Sequence, residues 1–326
     1  MKKLQGFAGV CLYAIFAASC TIHTANTKKA LSADKEAVAS FTKNVALADP
    51  FILYHDNAYY AYGTSSDEGF EVFHSKDLKA WTKHKDMLLK KEDSFGSKWF
   101  WAPEVYYNSA SRKFYLFYSA EEHICVATSD SPLGPFKQDI KKPMRDEKGI
   151  DSSLFIDEDG TPYIYFVRFT NGNEIWVAEL EDDWQTIKEE TLTKCITASQ
   201  PWETVLGKVT EGASVMRYNG QYYMIYSGND FRSKDYGLGY ATAGSPMGPW
   251  VKSENNPVLQ RPANGLVGTG HGAFFKDKNK NYKYVFHAHH DTTKVSPRLM
   301  YILNMAITDN KISFDKGSII SPYTSK

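Results

Sequence analysis

Aromatic residues recur in five alternating, largely apolar runs of this chain, each directly after a turn. The stretches align on one tyrosine each: Tyr60, Tyr115, Tyr163, Tyr223 and Tyr284. A short apolar segment precedes every turn, another follows every alternating run, and most copies then add a segment containing Trp or Phe. A period of two in aromatic and β-branched residues is typical of strands that bury one face. Each repeat therefore predicts four short strands.

Five such repeats predict an all-β fold, specifically a five-bladed β-propeller spanning residues 44–326. A helix-rich or doubly wound fold would need apolar 3.6-residue periods between the strands, and none of useful length is found. A two-sheet sandwich is the alternative within the all-β class, but it does not explain five copies.

Residues 1–19 predict a signal peptide. Lys2 and Lys3 precede an apolar run that is too short to span a bilayer comfortably, and small residues lead to Cys20. This arrangement resembles a bacterial lipoprotein signal, in which the cysteine becomes the lipidated first residue. It predicts an exported lipoprotein of the periplasm or outer membrane, with membrane contact only through the lipid anchor. A cleaved signal with an incidental cysteine is the alternative. Residues 20–43 are polar and predict a flexible tether.

The composition excludes some partners and favours another. Basic and acidic residues number 38 each, so no basic field is available and nucleic acid is not expected as a partner. Aromatic residues make up 14% of the chain, and exposed aromatic faces stack on sugar rings, which favours a carbohydrate. Cys125 and Cys195 lie in the predicted propeller, and whether they pair is left open. The histidines of 287–291 would face opposite sides of a strand, which argues against a zinc cluster.

A polar residue precedes the first strand of every repeat, eleven to thirteen positions before the aligned tyrosine. These residues are Asp49, Glu104, Asp151, Glu211 and His271. The first strands of a propeller line its channel, so equivalent positions converge on one mouth. Neighbouring carboxyl groups cannot all ionise cheaply, which raises the pKa of at least one and suits acid–base chemistry. The alternative is that these acids bind backbone N–H groups or hold calcium.

Five motifs in this order resemble glycoside hydrolase family 43 over about residues 44–326. They are Ala48-Asp49-Pro50, Trp101-Ala102-Pro103, Ile150-Asp151-Ser152-Ser153 with Asp157-Glu158-Asp159-Gly160, Thr210-Glu211-Gly212-Ala213, and Gly270-His271-Gly272. The resemblance implies a five-bladed propeller that cleaves arabinose- or xylose-containing polysaccharides with inversion. It also implies that Asp49 is the general base, that Glu211 is the general acid and that Asp151 tunes and orients Glu211.

The resemblance implies further roles around these acids. His271 is expected near the axis, contacting substrate or a structural calcium ion directly or through water, and no other cofactor is expected. Arg298 is expected to touch the sugar, with a surface position as the alternative. Trp101 and Phe100 are expected to form stacking walls, with core packing as the rival. Glu104 follows Ala-Pro and is expected to be structural.

These inferences predict an inverting glycosidase acting on α-L-arabinofuranosides or β-D-xylosides. The arabinofuranosidase is favoured because Gly270-His271-Gly272 and Arg298 look like those of arabinan-acting members. An endo-arabinanase is the second enzymatic reading. A non-catalytic carbohydrate-binding propeller is the alternative class, but it would predict the loss of an acid, whereas Asp49, Asp151 and Glu211 are all present. A sialidase-like propeller is disfavoured because no arginine triad is evident.

Overall fold

Five β-sheets surround a central axis in the computed structural model, which describes residues 43–325. Blade 1 contains Ala48–His55, Ala58–Thr64, Val72–Ser75 and Ala80–Lys83; blade 2 contains Trp101–Asn108, Lys113–Ala120 and His123–Ser129; blade 3 contains Gly149–Ile156, Pro162–Phe169, Asn173–Glu179 and Thr193–Ile196; blade 4 contains Thr210–Tyr218, Gln221–Gly228, Gly237–Ala243 and Val251–Lys252; blade 5 contains Gly270–Lys276, Tyr282–Ala288, Leu299–Thr308 and Lys311–Ile320. The predicted five-bladed propeller is confirmed.

A few short elements lie outside this scheme. They are the strands Lys43–Asn44, Gly69–Phe70, Leu89–Lys90 and Tyr323–Thr324 and the 3₁₀ turns Lys91–Asp93, Glu189–Thr191 and Pro201–Glu203. No helix within residues 43–325 is long and apolar enough to cross a membrane. The predicted signal at residues 1–19 and almost all of the tether lie outside the described residues.

The prediction of four strands per repeat is wrong for blade 2. Within the described residues its sheet has three strands, and a single bridge between Thr128 and Lys137 stands where the fourth would pair. In blade 1 the predicted strand 70–73 is split, because Phe70 belongs to the separate pair of strands Gly69–Phe70 and Leu89–Lys90.

The hydrophobic core is divided among the junctions between neighbouring blades. Five clusters of buried side chains each join two adjacent blades, and the series includes the junction of blade 5 with blade 1. The alternating aromatic runs supply much of this core: Tyr223 and Tyr284 are fully buried. Each blade thus buries both faces, which explains why the runs are apolar at nearly every position, as in Tyr222–Tyr226. Cys125 and Cys195 lie in different clusters, and both are unpaired.

The ring is closed by segments from both ends of the described chain. Tyr323–Thr324 pairs in parallel with Ala80 and Trp81 at the outer edge of blade 1. Val45 exchanges backbone hydrogen bonds with Pro322 and Met300. Blade 1 is therefore completed by residues far away in sequence.

Candidate active site

The first strand of every blade carries a β-bulge at the same end of the channel. The pairing between first and second strands shifts at this point in all five blades, and one residue of each bulge has a positive φ angle. These residues are Asp49, Ala102, Asp151, Gly212 and His271, with φ between 35° and 60°. Bulges redirect a strand and its side chains. Here they turn the start of each first strand toward the axis.

The bulges correct the register predicted from sequence. Asp49, Asp151 and His271 occupy the equivalent left-handed position, but Glu211 precedes it by one residue and Glu104 follows it by two. The expectation that all five polar residues are equivalent is therefore wrong for the two glutamates. In blade 4 the left-handed position is Gly212, where a Cβ would lie 2.8 Å from Cδ2 of His271.

Side chains from the preceding blade hold four of these bulges. The backbone N–H groups of Ala102, Asp151 and His271 donate to Thr64 Oγ1, Ser119 Oγ and Ser227 Oγ at 3.0, 3.0 and 2.8 Å. The N–H of Asp49 donates to His287 Nδ1 at 3.1 Å. The four accepting side chains all lie at the end of a second strand, so four of the five bulges are held by the preceding blade.

Asp49 is buried, and its carboxylate is surrounded by a positively charged arginine and a hydroxyl donor. Arg298 Nη1 donates to its Oδ1 at 2.7 Å, Nη2 lies 3.3 Å from Oδ2, and Thr64 Oγ1 donates to Oδ2 at 2.7 Å. Burial raises the pKa of Asp49, but attraction to Arg298, together with the hydrogen bond from Thr64, outweighs burial and holds the pKa well below its usual range. Asp49 is therefore ionised across the neutral range.

Glu211 has the opposite character. Burial raises its pKa to about 7, although Tyr236 and Asn173 oppose that change by donating hydrogen bonds. Tyr236 Oη donates to Oε1 at 2.8 Å and Asn173 Nδ2 to Oε2 at 2.9 Å. Glu211 thus retains a proton near neutral pH while Asp49 does not.

Asp151 and His271 lie between these two acids. Asp151, Glu211 and His271 each place one oxygen or nitrogen atom within 4.8 Å of the others. His271 Nδ1 lies 3.4 Å from Asp49 Oδ1 and 3.9 Å from Asp151 Oδ2. Burial, followed by the charges of Glu211 and Asp49, raises the pKa of Asp151 well above its usual value. The structure thus brings Asp49, Asp151, Glu211 and His271 into one cluster.

Glu104 lies deeper in the molecule than its sequence register suggests. Tyr106 donates a short hydrogen bond to its Oε2, and the same phenol lies 3.4 Å from Ser153 Oγ. Burial raises the pKa of Glu104 to about 8 against these hydrogen bonds. Glu104 is therefore a buried, neutral carboxylic acid bridged by Tyr106 to the first strand of blade 3.

A pocket of about 470 Å³ opens beside Asp49, bordered by Thr64, Trp101 and Arg298 among other residues. Trp101 is half-buried and stacks on Trp99, which is 41% exposed, with ring centroids 6.0 Å apart. Phe100 borders the same pocket but is only 1% exposed and packs edge-on against Phe70, which favours its alternative role in core packing over a sugar-stacking wall.

Asp151, Glu211 and His271 lie close enough together to hold a cation and supply two carboxylates and one nitrogen. Calcium takes six to eight oxygen ligands, which include water, so these residues would supply only part of its coordination. A calcium ion at this cluster stays a prediction. The histidine run does not form a metal site: His287 contacts Asp49, His289 Nε2 contacts the carbonyl of Phe231, and His290 pairs with Asp291.

Sequence reasoning missed the residues that support the acids. Thr64, Ser119 and Ser227 each lie four positions after an aligned tyrosine, so their shared register was a usable signal. Asn173 and Tyr236 lie next to loops of unequal length and give no such signal.

This chain is similar in sequence and in structure to known glycoside hydrolases. The profile of Glycosyl hydrolases family 43 matches residues 42–312. A solved endo-1,4-beta-xylanase structure from Bacteroides thetaiotaomicron VPI-5482 is 53% identical, covers 87% of this chain and 99% of its own, and has a TM-score of 0.85. Beta-D-galactofuranosidase xynD of Aspergillus niger is 28% identical over 264 residues, 74% of this chain and 73% of that protein. Arabinoxylan arabinofuranohydrolase of Paenibacillus polymyxa is 26% identical over 293 residues, 74% of this chain and 44% of that protein.

The matched region includes blades 1 to 4, the first three strands of blade 5 and every residue of the carboxyl cluster. The chain belongs to glycosyl hydrolase family 43 and is a five-bladed propeller that hydrolyses glycosidic bonds.

Proposed function

We propose that this protein is an inverting glycosidase that removes α-L-arabinofuranosyl or β-D-xylosyl residues, with Asp49 as general base and Glu211 as general acid. The observation that carries the proposal is the opposite ionisation of two carboxyl groups in one cluster. Attraction to Arg298 outweighs burial and lowers the pKa of Asp49, whereas burial raises that of Glu211 to about 7. Two carboxyl groups whose pKa values are pushed apart can act as a base and an acid at the same pH.

Asp49 supplies the carboxylate that an inverting reaction needs to deprotonate water. In the free site Arg298 occupies both of its oxygens and also lies 4.7 Å from the centre of the Phe231 ring. Water activation requires one carboxylate oxygen to be available. Arg298 would therefore exchange one of its bonds to Asp49 for a sugar hydroxyl when substrate enters.

Glu211 supplies the proton for the leaving oxygen, and Asp151 affects the pH at which Glu211 loses that proton. The two groups lie in one buried cluster, and two adjacent carboxylates cannot both ionise without a large cost. Asp151 thereby helps to keep a proton on the pair near neutral pH. His271, which burial keeps neutral by lowering its pKa, separates this pair from Asp49.

The sugar class rests on the pocket and on the relatives. The pocket beside Asp49 offers Trp101 as an apolar face and Arg298 as a donor, which suits a single pentose ring. The relatives carry names for activities on xylan, arabinoxylan and galactofuranosides. A terminal arabinofuranosyl or xylosyl residue fits both observations, and an endo-arabinanase is the alternative.

The experiment is hydrolysis of nitrophenyl α-L-arabinofuranoside, β-D-xyloside and β-D-galactofuranoside, together with linear arabinan and xylan. We expect monosaccharide release from one of the pentosides, with Asp49→Asn inactive on every substrate. Glu211→Gln should lose about 10²-fold to 10⁴-fold on oligosaccharides but much less on nitrophenyl glycosides, which leave without protonation. Proton NMR of the first product should show the anomer opposite to that of the substrate. Retention would overturn the mechanism, and oligosaccharide products from arabinan would establish the endo alternative.

We also propose that the protein is exported and anchored by lipid on Cys20. The support is the sequence alone: two lysines, an apolar run and small residues before the cysteine. Anchoring would leave the propeller in the periplasm or on the outer membrane, where polysaccharide fragments are accessible.

A further inference from the structure

Tyr236 contacts Glu211, the proposed acid, and also His287, which supports the proposed base Asp49. This fully buried residue directly precedes the strand Gly237–Ala243 of blade 4. Its hydroxyl donates to Glu211 Oε1 at 2.8 Å, and its ring stacks on His287, with centroids 5.6 Å apart and an interplanar angle of 13°. His287 Nδ1 in turn accepts the backbone N–H of Asp49 at 3.1 Å. One side chain therefore connects Glu211 with the imidazole beside Asp49.

The surrounding backbone leaves room for this ring at Gly270. A Cβ placed on Gly270 would overlap the Tyr236 ring. Gly270 begins the first strand of blade 5 and pairs with His287, so the ring packs against the two paired strands that bear His271 and His287. Any side chain at position 270 would displace the ring of Tyr236.

The Glu211 carboxyl group is held at both oxygens by different blades. Asn173, at the start of the third strand of blade 3, donates to Oε2 at 2.9 Å, while Tyr236 donates to Oε1. Hydrogen bonds at both oxygens fix the plane of a carboxyl group. If one of these hydrogen bonds is removed, the carboxyl group is held at one oxygen only and its plane is no longer fixed.

We propose that Tyr236 is a positioning residue for the acid–base pair: its hydroxyl fixes the carboxyl plane of Glu211, and its ring fixes His287 against Asp49. This inference rests on the proposed function, in which Glu211 protonates the leaving oxygen. A misplaced acid slows only those substrates whose leaving group needs a proton. The effect of losing the Tyr236 hydroxyl therefore depends on the leaving group.

The test compares kcat and KM of Tyr236→Phe on a 2,4-dinitrophenyl and a phenyl glycoside of whichever pentose is cleaved. We expect kcat on the phenyl glycoside to fall about 10-fold, as for loss of one ordinary hydrogen bond. On the dinitrophenyl glycoside we expect a change below about 2-fold, because that leaving group departs without protonation. KM should not change on either substrate. Tyr236→Phe removes only the hydroxyl, whereas Gly270→Ala should displace the whole ring. Gly270→Ala should therefore lower kcat on both glycosides.

Tyr165→Phe is the matched control. Tyr165 is a buried tyrosine whose hydroxyl donates to the carbonyl of Pro246 at 2.7 Å, remote from the carboxyl cluster. It should affect both glycosides equally or not at all, and thermal melting of all variants checks that each one folds.

Equal proportional losses for Tyr236→Phe on the two glycosides, as in Tyr165→Phe, would overturn the proposal. Glu211→Gln separates this failure from that of the proposed function. If Glu211→Gln depends on the leaving group and Tyr236→Phe does not, this inference alone is wrong. If Glu211→Gln shows no such dependence, the acid assignment fails and the inference fails with it.

Discussion

Arg298 and Asp49 form a two-pronged ion pair across the junction of blades 5 and 1, with Nη1 2.7 Å from Oδ1 and Nη2 3.3 Å from Oδ2. The two residues are 249 positions apart in sequence. Paired guanidinium–carboxylate bonds of this kind are strong and directional. The pair explains why a buried carboxyl group remains ionised.

Arg298→Met should move the acidic limb of the pH profile upward. Without the guanidinium, burial raises the pKa of Asp49, so the base is lost by protonation at a higher pH than in the wild type. We expect kcat/KM at pH 6 to fall about 10-fold to 100-fold, as for loss of a charge-assisted hydrogen bond. The control is Arg217→Met, which removes a pair with Glu158 at 2.7 Å on the turns of blades 3 and 4. An unchanged acidic limb in Arg298→Met would contradict the assignment of Asp49 as base.

Asp151→Asn should move the basic limb downward. The wild-type enzyme should lose activity above about pH 7, where Glu211 loses its proton. The amide introduced at position 151 cannot share that proton or add a negative charge, so Glu211 should ionise at a lower pH. The measurement is kcat/KM from pH 5 to 9 for both proteins, and an upward movement would contradict the prediction.

Glu104→Gln should change how stability depends on pH. Folded Glu104 keeps its proton to about pH 8, whereas the unfolded chain loses it near the ordinary value of 4.5. The native state therefore binds more protons between these values, and the unfolding free energy of the wild type falls as pH rises. Relative to Glu104→Gln, the decline should reach about 1.4 kcal/mol per pH unit. Urea denaturation at pH 5, 6, 7 and 8 measures this, with the exposed Glu190→Gln as control.

Trp99→Ala should weaken substrate binding, whereas Phe100→Ala should lower the stability of the fold. Trp99 is exposed above Trp101, so its loss should raise KM for a polysaccharide about 2-fold to 10-fold and leave folding intact. Phe100 is buried against Phe70 and Tyr118, so its loss should lower the unfolding free energy by about 3–5 kcal/mol. Steady-state kinetics and denaturant unfolding distinguish the two, and a reversed pattern would refute this placement of the rings.

Cys20→Ala should release the protein from the membrane fraction. The variant should appear in the soluble periplasmic fraction without the mass of attached acyl chains, whereas the wild type should sediment with membranes. One acyl chain gives only marginal attachment, so the wild type should carry more than one. Mass spectrometry of the mature N-terminus decides the matter.

The repeats allowed the fold and the cluster of acids to be predicted from sequence, because alternation and spacing are local properties. The aromatic run around Tyr223 predicts its strand without knowledge of any neighbour. The exact register at the channel mouth was not predictable, because a bulge inserts a residue at a point that the pattern does not mark. Glu104 and Glu211 are therefore displaced from the level of Asp49.

The supporting side chains were harder to predict than the acids. Asn173 and Tyr236 reach Glu211 from positions beside turns whose lengths differ between blades, so no repeat register links them. The pattern around His287 does not predict its hydrogen bond with the backbone of Asp49, because that bond joins residues 238 positions apart. Such contacts depend on how the ring closes, which no local pattern encodes.

The pairing of Tyr323 with Ala80 determines when the enzyme matures during biosynthesis. About 240 residues separate the two partners, so their pairing is a late, entropically costly event in folding. Blade 1, which carries Asp49, lacks its outer edge until the last blade has been translated and docked. A polypeptide halted after blade 4 would carry Glu211 and Asp151 but not Arg298 or the closing strand. We therefore expect hydrolytic competence to be acquired at the final assembly step, so that nascent or prematurely terminated chains do not cleave glycans.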